Sequence, residues 1–202
     1  MRTAAKALST VLHPMLIPTI GLFLIFNLGG HFSYLPFEHK RLIYLFVFIS
    51  TCALPVSLIP LFMLLGVVKS VYMTDRKERL WPTLFTSIFY GIGYFFLSRI
   101  PIVPSFIQGF MLATIIVILM ALGITIFWKI SMHMIGIGGL CGALLALALT
   151  FGLDLWVVFI LAISIAGALG SARLYLNAHT PLQVHVGFLL GAGVVFCGSL
   201  FL

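Results

Sequence analysis

Residues Ile102 to Phe127 read IVPSFIQGFMLATIIVILMALGITIF, 26 positions without a charged side chain. A helix of roughly 20 apolar residues crosses the hydrocarbon core of a bilayer, and a backbone in lipid must satisfy its own hydrogen bonds. The stretch therefore reads as a transmembrane helix. Comparable runs cover Pro14 to Tyr34, Leu42 to Val68, Leu80 to Leu97, Met134 to Phe151, Leu155 to Ala172 and Pro181 to Leu202. The expected fold is an all-α polytopic membrane bundle of about seven helices. No linker or low-complexity tract divides it, so residues 1–202 read as a single domain. The third and sixth runs are short for a full crossing, and Pro55, Pro60 and Pro82 predict kinks.

Composition agrees. Hydrophobic residues make up 62% of the chain and charged ones 7%, which excludes a water-soluble domain of this length. Eleven of the fifteen full charges are Lys or Arg, so the polar edges suit lipid phosphates. Cys52, Cys141 and Cys197 lie inside apolar runs without paired spacing and read as packing residues. Arg2 and Lys6 precede the first run, but no small-residue cleavage site follows cleanly, so that run reads as retained.

Each crossing reverses the side on which the next loop emerges. With residues 1–13 on side one, that side also receives residues 69–79, 128–133 and 173–180. It then carries Arg2, Lys6, Lys69, Arg76, Lys77, Arg79, Lys129 and Arg173 together with His133 and His179, against only Lys40, Arg41 and Arg99 on side two. Ionisable groups at span ends are costly unless paired or facing a wet cavity, so their concentration points to a site.

Three stretches carry the chemistry. In Thr74-Asp75-Arg76-Lys77-Glu78-Arg79-Leu80-Trp81-Pro82, Arg76 and Arg79 share a helical face and could grip phosphate oxygens; ordinary interfacial basics would look the same. Asp75 and Glu78 fit a capping box for the helix that follows. Lys129-Ile130-Ser131-Met132-His133 opens a helix whose Gly136, Gly138 and Gly139 suit close packing, and His133 is open to both a chemical and a packing role. In the third stretch, Thr180 and Pro181 form an N-cap and N1 pair, which puts His179 just before a helix N-terminus, where a phosphate would also meet the positive end of the helix. Two histidines and several fixed cations are enough for phosphoryl transfer through a phosphohistidine. Side one offers two carboxylates and the His179 to His185 spacing is neither three nor four, so neither a metal nor another cofactor is expected.

These residues resemble the type 2 phosphatidate phosphatase superfamily of integral-membrane lipid phosphatases, whose motifs are K-x6-R-P, P-S-G-H and S-R-x5-H-x3-D. The resemblance covers about residues 70–202. Ala172-Arg173, five residues and then His179 match the third motif, with a Gly187-containing helix after it; Ile130-Ser131-Met132-His133 keeps the serine and histidine of the second. The first is loose, with Trp81-Pro82 where Arg-Pro belongs. The resemblance implies His179 as nucleophile and His133 as general acid, with Ser131, Arg173, Arg76, Lys77, Arg79 and Lys129 holding phosphate. Its substrate would be a phosphorylated lipid within the bilayer, phosphatidate or a polyprenyl diphosphate, with no nucleic acid partner. It also implies a bacterial inner-membrane protein with its site facing the periplasm. Gln183 stands where the family's orienting aspartate belongs and Ala172 where a serine does, with Ser171 adjacent; Glu78 or Asp75 could supply the missing carboxylate. A degenerate homologue that binds or moves anionic lipids is the alternative.

Overall fold

The computed structural model describes residues 1–28, 30–71, 73 and 75–201; Gly29, Tyr72, Thr74 of the basic loop and Leu202 at the end of the last run lie outside them. Among the described residues there are helices and no strands. In chain order they are α1 (Arg2–Val11), α2 (Ile17–Asn27), a 3-10 turn (His31–Tyr34), α3 (Phe37–Phe48), a π turn (Ile49–Ala53), α4 (Leu54–Ser57), α5 (Ile59–Leu64), a second 3-10 turn (Lys77–Arg79), α6 (Leu80–Ser98), α7 (Ser105–Phe127), α8 (Met132–Phe151), α9 (Trp156–Tyr175) and α10 (Pro181–Phe201). Among the described residues six helical units are long and apolar enough to span a membrane, the first being the continuous Phe37–Leu64. The short third and sixth runs belong to full-length units of 22 and 20 residues. Large apolar side chains such as Phe95, Ile160 and Leu189 are exposed on the outside, as lipid contact requires.

The first run departs from expectation. Its helix, α2, has 11 residues, which at 1.5 Å each spans only about 16 Å. The 3-10 turn that follows covers the remaining depth. Phe32 packs edge-on against Phe151 at 4.9 Å and lies 5.8 Å from Phe106, so it has reached the start of α7 and the end of α8. The run still traverses the bundle, and the order of sides is kept. Residues before it form a helix of their own: α1 is amphipathic, buries Ala5 and Ser9, and packs along α9.

Two of the three prolines lie where the regular α-helix is interrupted inside the continuous unit Phe37–Leu64. Pro55 has no N–H and its ring would crowd the carbonyl of Thr51, and the helix widens into the π turn just ahead of it. Pro60 follows the break at Leu58. Pro82 makes no kink, because it falls in the first turn of α6, where its missing N–H would have had no helical partner.

At the centre stands α8, with two thirds of its apolar stretch buried against less than two fifths in the other spans. It runs parallel to α10 at backbone contact. A methyl group at Gly138 or Gly142 would collide with the Phe188 or Ala192 carbonyl, and one at Gly191 with that of Ile135. These are two small-xxx-small ridges facing each other, the packing that lipid-embedded helices use where burial of apolar surface supplies no drive. The consequence is geometric: the N-termini of α8 and α10 end side by side, bringing the chain around 131 against the chain around 187.

Candidate functional site

The loop from α9 to α10 is shaped by its hydrogen bonds. Ala178 N–H donates to Arg173 O at 3.1 Å and Asn177 N–H to Leu174 O at 2.9 Å, the paired bonds of a Schellman turn, with Asn177 in the left-handed region at φ 51°. His179 then precedes Thr180, whose Oγ1 accepts from Gln183 N–H as α10 begins. The five residues between Arg173 and His179 are thus what one helix stop and one helix start require, and the two side chains return to the same place.

That place is a cavity of about 200 Å³. His133, Arg173 and His179 line it, with Arg79 from the head of α6 and His13 from the link between α1 and α2. Below this charged end the wall turns apolar, through Ile17, Phe110, Val117, Leu140 and Val195. On α8 the lining descends from Met132 to Leu140, roughly 12 Å of helix. Thr83, Thr86, Tyr90 and Thr114 also line the cavity, so a charged end continues into a mostly apolar wall with a few hydroxyls.

His179 is buried, and its Nδ1 lies 3.0 Å from Gln183 Oε1, which also accepts from Thr180 N–H at 3.2 Å. A backbone N–H can only donate, so the shared atom is the amide oxygen and Nδ1 carries the hydrogen; Nε2 keeps its lone pair. Burial first, then the cations Arg79, Arg173 and Lys129, hold its pKa down to about 4 against the Gln183 bond, so the ring is neutral at physiological pH. His133 Nε2 lies 3.0 Å from the Ser9 carbonyl, an obligate acceptor, so that nitrogen carries a hydrogen and Nδ1 is the one left for chemistry. The His13 ring meets His133 edge-on at 5.5 Å between centroids. Burial, with Arg173 adding, lowers the His13 pKa, and Lys129 is lowered by burial and by Arg79 and Arg173, with Asp75 opposing.

Several polar atoms here have no partner among the described residues: Arg173 Nε, Glu78 Oε2 and the hydroxyls of Ser9 and Ser131. A buried donor left unmade costs about 1–3 kcal/mol, and more when charged, so Arg173 Nε, the one of these on the cavity wall, fits a site that receives an anion, whereas Glu78 Oε2 is an acceptor that an anion would not meet. No three His, Cys, Asp or Glu side chains among the described residues converge closely enough to hold a metal ion.

The residues singled out from the sequence divide. His133, His179, Arg173 and Arg79 share the cavity wall, and Gln183 touches it through His179. Lys129 stands off the wall but within electrostatic reach of His179. Ser131 is fully buried behind it, against Gly187, where an added Cβ would sit 2.9 Å from Ser131 O. Arg76 and Arg79 do not act as a pair: Arg76 donates to the Ile126 carbonyl at 2.6 Å, capping the end of α7, while Arg79 Nε donates to Met73 O at 3.0 Å. Arg76 lies ahead of the 3-10 turn Lys77–Arg79 and α6 begins only at Leu80, so the α-helical face that the spacing implied does not exist here. Lys77 is exposed away from the cavity. Asp75 caps Lys77 N–H at 3.1 Å, yet Glu78 makes no reciprocal bond, so half of the capping box forms. Neither carboxylate touches the histidines. Sequence reasoning missed His13 and Ser9, which lie outside any motif; the signal available was a histidine on the same predicted side as His133 and His179.

No family model, curated protein or solved structure matches this chain.

Proposed function

We propose that the chain is a membrane-embedded lipid phosphatase, a divergent relative of the type 2 phosphatidate phosphatases, acting on a phosphate monoester or diphosphate at the head of a lipid. The observation that carries the reading is the convergence of His133, His179, Arg79 and Arg173 on one cavity whose other end is apolar. His179 Nε2, with its lone pair free, attacks phosphorus; the P–O bond to the lipid breaks, and His133, which enters the step as the imidazolium with a second proton on Nδ1, passes that proton to the departing oxygen. Water, giving its proton back to His133, then releases phosphate from His179. Arg79 and Arg173 spread the charge that gathers on the equatorial oxygens. The Ser9 carbonyl, with its dipole on His133 Nε2–H, favours the imidazolium that must form there. By the family likeness the site faces the periplasm of a bacterial inner membrane.

Purified protein in detergent is expected to release phosphate from phosphatidate or undecaprenyl diphosphate, and His179→Ala to abolish release. Silence across a broad panel of lipid phosphates would overturn this reading in favour of a second one, a non-catalytic protein that binds or moves anionic lipids. Gln183 favours that alternative, because a neutral amide on His179 Nδ1 cannot stabilise an imidazolium as a carboxylate does. Lipid binding that survives His179→Ala, with no turnover in the parent, would establish it.

A further inference from the structure

The α1–α2 link is held against α8 more firmly than a tail needs to be. Pro14 sits on Gly136, where an added Cβ would come within 3.3 Å of the Pro14 Cα, one turn below His133. Thr51, fully buried in the π turn, donates to Met15 O at 3.3 Å, and the Tyr90 side chain engages Thr51 from α6. Ser9 O takes the hydrogen of His133 Nε2. Between these tethers stands His13, half-buried, on the cavity wall with Arg173 and His179.

The edge-on contact with His133 asks for a ring at this position but not for its nitrogens. Its one hydrogen bond among the described residues is local and long, Met15 N–H to Nδ1 at 3.4 Å. That bond nonetheless assigns the ring: Nδ1 accepts, so in the neutral form Nε2 carries the hydrogen, the only donor left on the ring. A neutral histidine beside arginines adds a donor to the site without adding a charge that they would repel.

We propose that His13 is a third imidazole of this pocket, donating its Nε2–H to an oxygen of a phosphoester or diphosphate head group. The inference rests on the reading of the cavity as an anion site, and extends that site to the chain ahead of the first apolar run, outside the region that carries the phosphatase-like motifs. A packing role predicts the opposite substitution pattern, because phenylalanine keeps the ring and loses the donor, while glutamine keeps a donor and loses the ring.

The test is equilibrium binding of inorganic phosphate and of short-chain phosphatidate to the full chain in detergent, for the parent, Arg173→Ala, His13→Phe and His13→Gln, with thermal unfolding of each as the folding control. The expected result is saturable binding by the parent and its loss in Arg173→Ala. His13→Phe should weaken binding about tenfold, as removal of one charge-assisted hydrogen bond does, and His13→Gln should stay close to the parent. Saturation by phosphate alone would identify a free anion as sufficient, and saturation only by phosphatidate a lipid head; the His13 ranking supports the inference in both. Parent-like binding by His13→Phe while Arg173→Ala fails, or loss in His13→Gln but not in His13→Phe, overturns the role of His13 and leaves the anion pocket standing. No saturable binding by the parent to either probe overturns the pocket and His13 together.

Discussion

The two ends of the bundle treat their cations differently. At the end where α7 begins and α8 finishes, Phe32, Phe106 and Phe151 close the core with edge-on and tilted rings, and each cation of the flanking loops has a partner. Lys40 Nζ donates to Ser33 O at 2.8 Å, Arg41 pairs with Glu38 at 3.1 Å, and Arg99 lies over the Phe95 ring at 5.0 Å. At the other end Arg173 Nε has no partner among the described residues, although it is buried, and three imidazoles share its cavity. A folded chain gains nothing from a buried guanidinium N–H left unmet, whereas a site for an anion uses one. The contrast separates charge that completes the fold from charge held for a ligand.

Exchanging one cation at each end should break the comparison if it is wrong. Arg173→Met is expected to lower lipid-phosphate release by a factor on the order of 10²–10³, as loss of one preorganised donor does, while thermal stability holds or rises. Lys40→Met should do the reverse, lowering the unfolding temperature by the equivalent of about 1.5–3 kcal/mol for a lost charged hydrogen bond and leaving release near the parent level. Loss of activity in both, or in neither, would remove the distinction.

The glycines sharpen it next. Gly191→Val forces α8 and α10 apart where backbones touch, and should destabilise by about 1–3 kcal/mol and lower activity, because the two histidine-bearing N-termini separate. Gly123→Ala, on α7 with nothing within 4 Å, should be neutral or stabilising by roughly 0.5–1 kcal/mol. Thermal scans beside activity assays measure both.

The pH profile reads the His179 environment. In the proposed reaction the free base attacks, so the acid limb of kcat/KM is expected as pH drops through about 4, instead of near 6.5 as for an ordinary histidine. Gln183→Glu puts an anion on Nδ1, favours the imidazolium, and should move that acid limb to higher pH. An unmoved limb would mean that another group titrates. The smallest effect is expected at Asn177, where Gly should be tolerated and Val should cost about 1–2 kcal/mol, because φ 51° admits a β-branched side chain only with strain.

Much of this was legible in the sequence because lipid enforces length. The charge-free runs located six spanning units, and the order of crossings put Arg79, His133, Arg173 and His179 on one side. The shorter helix from Ile17 to Asn27 was not legible, since hydropathy does not distinguish a helix from a 3-10 turn that completes the same depth. Arg76 was misplaced for a related reason: spacing assigns a face only inside a helix, and Arg76 lies ahead of the first helical turn, where it donates to the Ile126 carbonyl. His13 and Ser9 escaped because one contributes through a tethered loop and the other through its main-chain oxygen, which no side-chain motif records.

The most direct measurement of the central claim is covalent. Protein in detergent, exposed to lipid labelled in the phosphate and quenched in base, is expected to carry a phosphoryl group on the peptide containing His179, stable to alkali, lost in acid, and more abundant in His133→Ala if His133 also assists the water. Phosphate release with no label on His179, or with the label on another residue, would contradict it.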